Sequence, residues 1–300
     1  MKAQVRVLEV LGRSAGGIAR HVADVRKGLD VSCGLKLEVA GPADLPPHLP
    51  RPEHELDIPD GFVGHRRAAA RLRDVVTVGA YDVVHAHGLR AGMDSCIATR
   101  DRKTRCVVTF HNLALPDAPA IRRILQKRAE RSVLARADRV LAPSREIAAH
   151  LKEVLPQSAG RIEVLHVSIP TPPATLRNRD VVRSELGVPD GEPLIVSVGR
   201  FAPQKDLPTM IDALARLGAG TLALVGDGPL RADLEGFATE RGVSTKVRFV
   251  GFKDSAHDYV SAADVFCLSS DWEAVSLAAQ EAVSLGVPVV ATAVGGIGEL

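Results

Sequence analysis

The run "VSVGRFAPQKDLPTMIDAL" (Val196–Leu214) changes character twice. Its first part ends a short, continuous apolar stretch, "PLIVSVG" (Pro193–Gly199), which reads as a strand buried on both faces. Asp206 and Pro208 then mark the start of a helix. Arg200 follows the strand at its carboxyl end, and Lys205 falls at or just before the helix start. A cation is poorly placed there, because a helix N-terminus already carries partial positive charge. Taken singly each would read as a solvated loop cation, but two cations plus a helix start, after a parallel strand, make sense if an anion binds among them. A diphosphate fits best, since Arg grips it with a planar fork and Lys supplies a point charge.

The same strand-then-helix unit repeats in both directions. Upstream, strands are expected at "VRVLEVL", "LKLEVAG", "YDVVHAH", "CVVTFH", "DRVLAP" and "RIEVLHV", with helical patterns such as "GIARHVADVRKGL", "HRRAAARLRDVVTV" and "REIAAHLKEVL" between most of them. Downstream come "TLALVG", "KVRFVG", "ADVFCL" and "VPVVAT". Apolar strands alternating with helices imply parallel sheets covered on both faces. The pattern breaks at "IPTPPATLRNRD", where proline blocks regular structure. The expectation is therefore an α/β chain of two Rossmann-like, doubly wound domains, 1–168 and 191–300, joined by a linker over 169–190. Ligands should bind at the carboxyl ends of the strands, facing a cleft. The closing "VGGIGEL" follows only the fifth strand of the second domain, so that domain is expected to be incomplete.

Composition narrows the function classes. With 300 residues, 46% of them hydrophobic, the chain can fill two cores. A formal net charge of +2 gives no global signature of nucleic-acid binding. Cys33, Cys96, Cys106 and Cys267 form no CxxC pair and no zinc-like spacing, so they read as free thiols in a reducing compartment, with no metal site expected. The N-terminal "MKAQVRVLEVLG" is too short and too charged for a signal peptide, and no run reaches the roughly 18 apolar residues of a membrane span. A cytoplasmic protein is expected.

A second constellation lies in "SDWEAVSLAAQEAVSLG" (Ser270–Gly286). A helix is expected from near Ala274, with Ser276, Gln280 and Ser284 as one polar stripe. Glu281 falls at the edge of that stripe beside apolar positions, where a carboxylate needs a hydrogen-bonding partner. Glu273 precedes the helix and could simply complement its dipole. If both were helical, their Cα atoms would lie roughly 12 Å apart along the axis. Carboxylates paired for glycoside hydrolysis sit about 5–9.5 Å apart, so two separate hydroxyl-binding roles fit better. Backbone N–H groups near Val275, Ser276 and Leu277 could meet a phosphate.

"GRFAPQKD", Glu273 and Glu281 at an eight-residue interval, and "GVPVVATAVGG" together resemble the retaining GT-B glycosyltransferases of family 4. "GGIARHV", "DVVHAHG", "TFHN" and "ADRVLAPS" stand in the order that family has them. The resemblance implies transfer of a sugar from a nucleotide-diphosphate sugar to an acceptor hydroxyl with retention of configuration, and no required cofactor or metal. It implies that Arg200 and Lys205 hold the donor diphosphate, that Glu281 binds the ribose hydroxyls and that Glu273 lies near the transferred sugar. Val275, Ser276 and Leu277 would give backbone contacts, Gly16 and Gly17 would let backbone approach the donor or acceptor, His111 would be the active-site histidine, and Lys253 would lie near the base. His85 and His87 would be architectural or acceptor-side. The chain departs from the family at "HVSIPTPP", where a "PNGVD"-like loop is common, at "AVS" after Glu273, and at Gly298, where proline is frequent.

The implied partners are the nucleotide sugar and a glycan, lipid-linked or small-molecule acceptor, in cell-envelope or glycan biosynthesis. Two basic helices, "HRRAAARLRDVV" and "IRRILQKRAERSVLARADR", could bring the protein to the inner face of a membrane, although such faces are more often only solvated. Two rival readings stand beside the leading one. A nicotinamide oxidoreductase would need G-x-G-x-x-G after a strand, which neither "GRSAGGIAR" nor "GRFAPQKD" provides. A non-catalytic nucleotide-sugar-binding fragment would keep the donor contacts alone.

Overall fold

The structure, a computed structural model, describes residues 4–13, 17–29, 34–45, 51–61, 63–100, 103–111 and 119–300. The chain divides into two compact units, residues 1–167 and 168–300. Unit 1 holds strands β1 (Val5–Leu11), β2 (Leu35–Gly41), β3 (His54–Glu55), β4 (Val83–His87), β5 (Arg105–Thr109), β6 (Arg139–Ala142) and β7 (Ile162–Val164). Its helices are α1 (Gly17–Leu29), α2 (His65–Gly79), α3 (Leu89–Ala98), α4 (Ala120–Arg136) and α5 (Arg145–Val154). The strands form one parallel sheet in the order β3-β2-β1-β4-β5-β6-β7.

Unit 2 opens with α6 (Arg179–Glu185), inside the segment expected as a linker. Residues 165–178 do lack regular structure. Asn178 then caps the helix, accepting from the N–H groups of Asp180 and Val181 at 2.7 and 3.3 Å. Arg179 and Arg183 tie α6 to the Ala263 carbonyl and to Asp264 respectively, so α6 is part of the unit. There follow β8 (Leu194–Val198), α7 (Leu207–Leu217), β9 (Thr221–Val225), α8 (Arg231–Glu240), β10 (Val247–Gly251), α9 (His257–Ala262), β11 (Val265–Leu268), α10 (Leu277–Ser284) and β12 (Val289–Ala291). The order is β10-β9-β8-β11-β12, again all parallel.

Strand alternation sorts the helices onto two faces. In β9, Leu222 and Leu224 pack with Met210, Ile211 and Leu214 of α7 and Leu234 of α8. Ala223 and Val225 face the other way, against Val182 of α6, Val260 of α9 and Ala279 of α10. Each sheet face is thus a separate core, as a doubly wound fold requires. The chain reverses its direction of strand addition between β8 and β11 in unit 2, and between β1 and β4 in unit 1. Crevices beyond the carboxyl ends of strands at such reversals are where open α/β sheets bind ligands.

Candidate functional site

The loops leaving β8 and β11 flank the unit 2 switch point. Beyond β8, Arg200 is exposed, while Phe201 is buried and donates its N–H to the Asp227 carbonyl at 2.9 Å. Residues Pro203–Lys205 form a single 3₁₀ turn, and Asp206 enters the left-handed region at φ 39° before α7 begins. The loop from β11 holds this turn in place. Ser269 Oγ donates to the carbonyl oxygens of Lys205 and Asp206 at 2.9 and 2.7 Å. Asp271 N–H donates to the Gln204 carbonyl at 2.9 Å, and Gln204 Nε2 to the Trp272 carbonyl at 2.6 Å.

This lacing brings Lys205 Nζ into an ion pair with Glu273 Oε1, the same oxygen that accepts from Ser270 Oγ at 2.7 Å. Glu273 is 6% exposed, so its charge is stabilised by the lysine rather than by water. The helix expected from Ala274 starts three residues later, at Leu277. Ser276 is its N-cap, accepting from Ala279 N–H at 3.2 Å, and is buried rather than part of a polar stripe. A serine followed by a good helix-forming run favours this start, because the hydroxyl satisfies one of the first orphan N–H groups. The remaining first-turn N–H groups point beyond the N-terminal end of α10. Glu273 consequently lies outside the helix and does not act as a first-turn acid.

Glu281 is 1% exposed, in α10, as its apolar neighbours implied. Its Oε1 lies 3.8 Å from His257 Nε2, and Ser255 Oγ is 2.8 Å from the other nitrogen of that ring. His257 belongs to no motif of the sequence. Nothing in its spacing marks it, since it lies on α9 in an otherwise ordinary amphipathic turn. Lys253 follows β10, the edge strand, is exposed, and sits 5.9 Å above the Tyr259 ring. The contacts described do not join it to the Lys205–Glu273 pair.

In unit 1 the switch point holds a cluster of imidazoles. Gly17 is the first residue of α1, and Gly16 lies outside the described residues. His111 is 7% exposed, just past β5, and its Nε2 is 2.9 Å from His87 Nδ1. His87 Nε2 is 2.7 Å from Glu9 Oε2, and His85 Nδ1 is 3.0 Å from the same oxygen. His21 of α1 lies edge-on to both His87 and His111, with ring centroids 5.9 Å away. Burial would push the Glu9 carboxyl up, but the charges of His85 and His87 and their hydrogen bonds outweigh it and hold the group well below the usual carboxylate range. Burial pushes His87 down to about 4, with neighbouring His85 acting in the same direction, and it also lowers His111 and His21. The strand run "VRVLEVL" does carry the available signal for Glu9, a carboxylate in the middle of a buried strand. Glu9, His85 and His87 could geometrically serve a cation, with ligand atoms all within 4.8 Å of one another. As they stand, the three side chains satisfy each other by hydrogen bonds.

Cys96 and Cys106 are free and buried, with sulfurs 3.7 Å apart; Cys267 is also free, and Cys33 lies outside the described residues. No described helix is long and apolar enough to cross a membrane.

Comparison with known proteins matches both units. Residues 15–171 match the family described as Glycosyltransferase Family 4, and residues 178–300 match Glycosyl transferases group 1. A lipopolysaccharide core biosynthesis glycosyltransferase, LpsE of Rhizobium meliloti (strain 1021), is 41% identical over 112 residues, 37% of this chain and 33% of the relative. A D-inositol 3-phosphate glycosyltransferase of Mycolicibacterium smegmatis is 30% identical over 256 residues, 80% of this chain and 58% of the relative. The chain therefore spans between a third and three fifths of these relatives' length. Among solved structures, Anabaena Alr3699/HepE in complex with UDP and glucose superposes with a TM-score of 0.81 at 22% identity, covering 98% of this chain and 82% of that one. Its likeness shows the fold, the GT-B form of the α/β class. With more than half of its length inside one of these families and most of the remainder inside the other, the chain belongs to the group 1, family 4 glycosyltransferases.

Proposed function

We propose that the protein moves a sugar from a nucleotide-diphosphate sugar to an acceptor hydroxyl, with retention at the anomeric carbon. The observation that supports this reading is the Lys205–Glu273 ion pair, which joins the loop after β8, where Arg200 lies, to the segment leading into α10 at the β8–β11 switch point. In the reaction, the bond from the anomeric carbon to the diphosphate oxygen breaks and its electron pair leaves with the phosphate. The acceptor oxygen bonds to that carbon on the same face, and its proton passes to the departing oxygen. Arg200 and Lys205 would stabilise the charge that develops on the leaving diphosphate. The backbone N–H groups of Val275, Ser276 and Leu277, at the N-terminal end of α10, would add dipoles aimed at the same phosphates. Glu273 would exchange its bond to Lys205 for a sugar hydroxyl, Glu281 would hold the ribose, and Lys253 would stand near the base. Gly16, Gly17 and His111 would serve the transferred sugar or the acceptor from unit 1.

UDP and glucose, present in the HepE structure, make UDP-glucose the first donor to try. The acceptor class proposed is a glycan, a lipid-linked saccharide or a small polyol, in keeping with the two curated relatives. We place the reaction in the cytoplasm at the inner face of a membrane. The exposed Ile121 and Ile124 among the arginines of α4 support that placement. The family match removes the ground for a nicotinamide oxidoreductase. The test is release of nucleoside diphosphate from a panel of nucleotide sugars. Lys205→Ala is expected to cut turnover at least 100-fold with an unchanged far-UV CD spectrum. Wild-type turnover in that variant would overturn the diphosphate assignment, and donor binding without transfer would favour the non-catalytic binder.

A further inference from the structure

The imidazole cluster in unit 1 has its protons fixed by one carboxylate. Glu9 pairs in register with His85 across β1 and β4, and His87 pairs with Thr109 across β4 and β5. His85 and His87 share one face of β4, and His111 is two residues beyond Thr109. An ionised carboxylate is an acceptor only, so each ring nitrogen facing Glu9 Oε2 must carry a proton. That assigns N–H to His85 Nδ1 at 3.0 Å and to His87 Nε2 at 2.7 Å. His85 Nε2, left with a lone pair, accepts from Thr109 Oγ1 at 2.8 Å. His87 Nδ1 is likewise left as an acceptor, and the atom facing it at 2.9 Å is His111 Nε2. The proton of that bond therefore comes from His111. The alternative, an imidazolium at His87 donating outward, would put a second charge beside that of Glu9 at a residue that is 5% exposed.

We infer that Glu9 is a positioning residue for His111: through His87 it holds the His111 ring as the Nε2–H tautomer and keeps Nδ1 as a hydrogen-bond acceptor. The group met by His111 in a complex is then a hydroxyl that donates, as on a sugar or a polyol, rather than a phosphate or carboxylate oxygen, which could only accept. This rests on the glycosyl-transfer reading for the role of His111, but the tautomer itself does not. A purely architectural network would hold the strands together equally well with any proton arrangement. The structure differs from that case in that an ionised Glu9 beside a neutral His87 leaves one proton arrangement for the His87–His111 bond.

The experiment is long-range ¹H–¹⁵N correlation spectroscopy of the histidines in the full chain after chelator treatment, with Glu9→Gln and Glu9→Asp beside the wild type. The expected wild-type spectrum shows Nε2–H at His87 and His111 and Nδ1–H at His85. In Glu9→Gln the amide can donate as well as accept, so the His111 signals should shift to a mixture of tautomers. Transfer from UDP-glucose, or whichever donor the panel identifies, should lose at least tenfold in kcat with KM for the donor within about twofold. Glu9→Asp should recover part of the loss. A wild-type His111 carrying its proton on Nδ1 would overturn the inference, and that measurement stands even if the variants fail to fold. Unchanged tautomer and kcat in Glu9→Gln would overturn it as well, as would stoichiometric zinc binding abolished by that substitution. A wild-type protein with the expected tautomers but no transfer from any donor would remove the glycosyl-transfer reading alone.

Discussion

Glu273 shows how a buried charge couples two distant stretches of chain. The residue is 6% exposed, and its carboxylate is met by Lys205 Nζ and Ser270 Oγ. Deleting one partner of a buried ion pair leaves the other uncompensated, at a cost of about 3–5 kcal/mol. Glu273→Ala is therefore expected to lower stability by about 3 kcal/mol in urea unfolding, towards the low end because the Lys205 side chain keeps 17% of its exposure. Glu273→Gln can still accept from both partners and should lose only about 1 kcal/mol. Equal losses in the two variants would show that shape rather than charge pairing holds the site. The sequence marked Glu281 correctly as a carboxylate among apolar neighbours, because helical geometry makes that visible from spacing. It could not mark the Lys205–Glu273 pair. The partners stand 68 positions apart, and only the strand order brings their loops together.

At the scale of the element, α10 is defined by what precedes it. Ser276 caps it, and the segment before the cap is clamped by the loop after β12. Gly296 N–H donates to the carbonyl oxygens of Glu273 and Ala274 at 3.3 and 3.0 Å. Gly295 sits at φ 54°, and a Cβ there would fall 1.5 Å from the Glu273 carbonyl oxygen. Gly295→Ala must therefore displace the backbone that carries Glu273, and a loss of at least about 2 kcal/mol is expected in urea unfolding. Ser276→Ala, which removes only the cap, should cost about 1 kcal/mol. A larger loss for the cap than for the glycine would contradict the clamp. Strand positions were legible because continuous apolar runs bounded by glycine or proline have few other uses. Two elements were not. The two residues of β3 carry no apolar pattern, and the short α6 follows a proline-rich stretch whose composition argues for a linker. The exact start of α10 was missed for a different reason. Ala274, Val275 and Ser276 continue the helical apolar pattern, and the cap alone decides where the helix begins.

Across the whole molecule, ionisable groups are distributed unequally between the units, and this gives them different responses to acid. Among its described residues, unit 1 holds three histidines whose pKa is lowered, chiefly by burial: His87 to about 4, His111 well below its ordinary value, and His21 below it. A histidine with a folded pKa below its unfolded value binds fewer protons when folded. Stability present above about pH 6.5 is then lost as pH falls toward the folded value. Glu9, held low by His85 and His87 against burial, adds a loss of the same sign as pH falls below its unfolded value of 4.5. Two groups in unit 1 oppose this. Burial pushes Asp94 up to about 6, and the hydrogen bond to Glu130 raises the half-buried His150, so both favour the folded state as pH falls. Asp94 roughly offsets His87, and the solvent-screened His150 is a weaker counterweight than His111 and His21 together. Unit 1 should therefore lose stability between about pH 6.5 and 4. In unit 2 the shifted carboxyl among the described residues is Asp264. Burial acts to raise it, but the Leu194 N–H together with Arg183 and Arg179 lowers it, so its contribution is lost only as pH falls below its unfolded value of 3.8. Thermal unfolding at pH 7 and pH 5 should show the far-UV CD midpoint falling by about 5 °C or more. A CD midpoint that stays level or rises on acidification would mean that the buried histidines of unit 1 do not control its acid response.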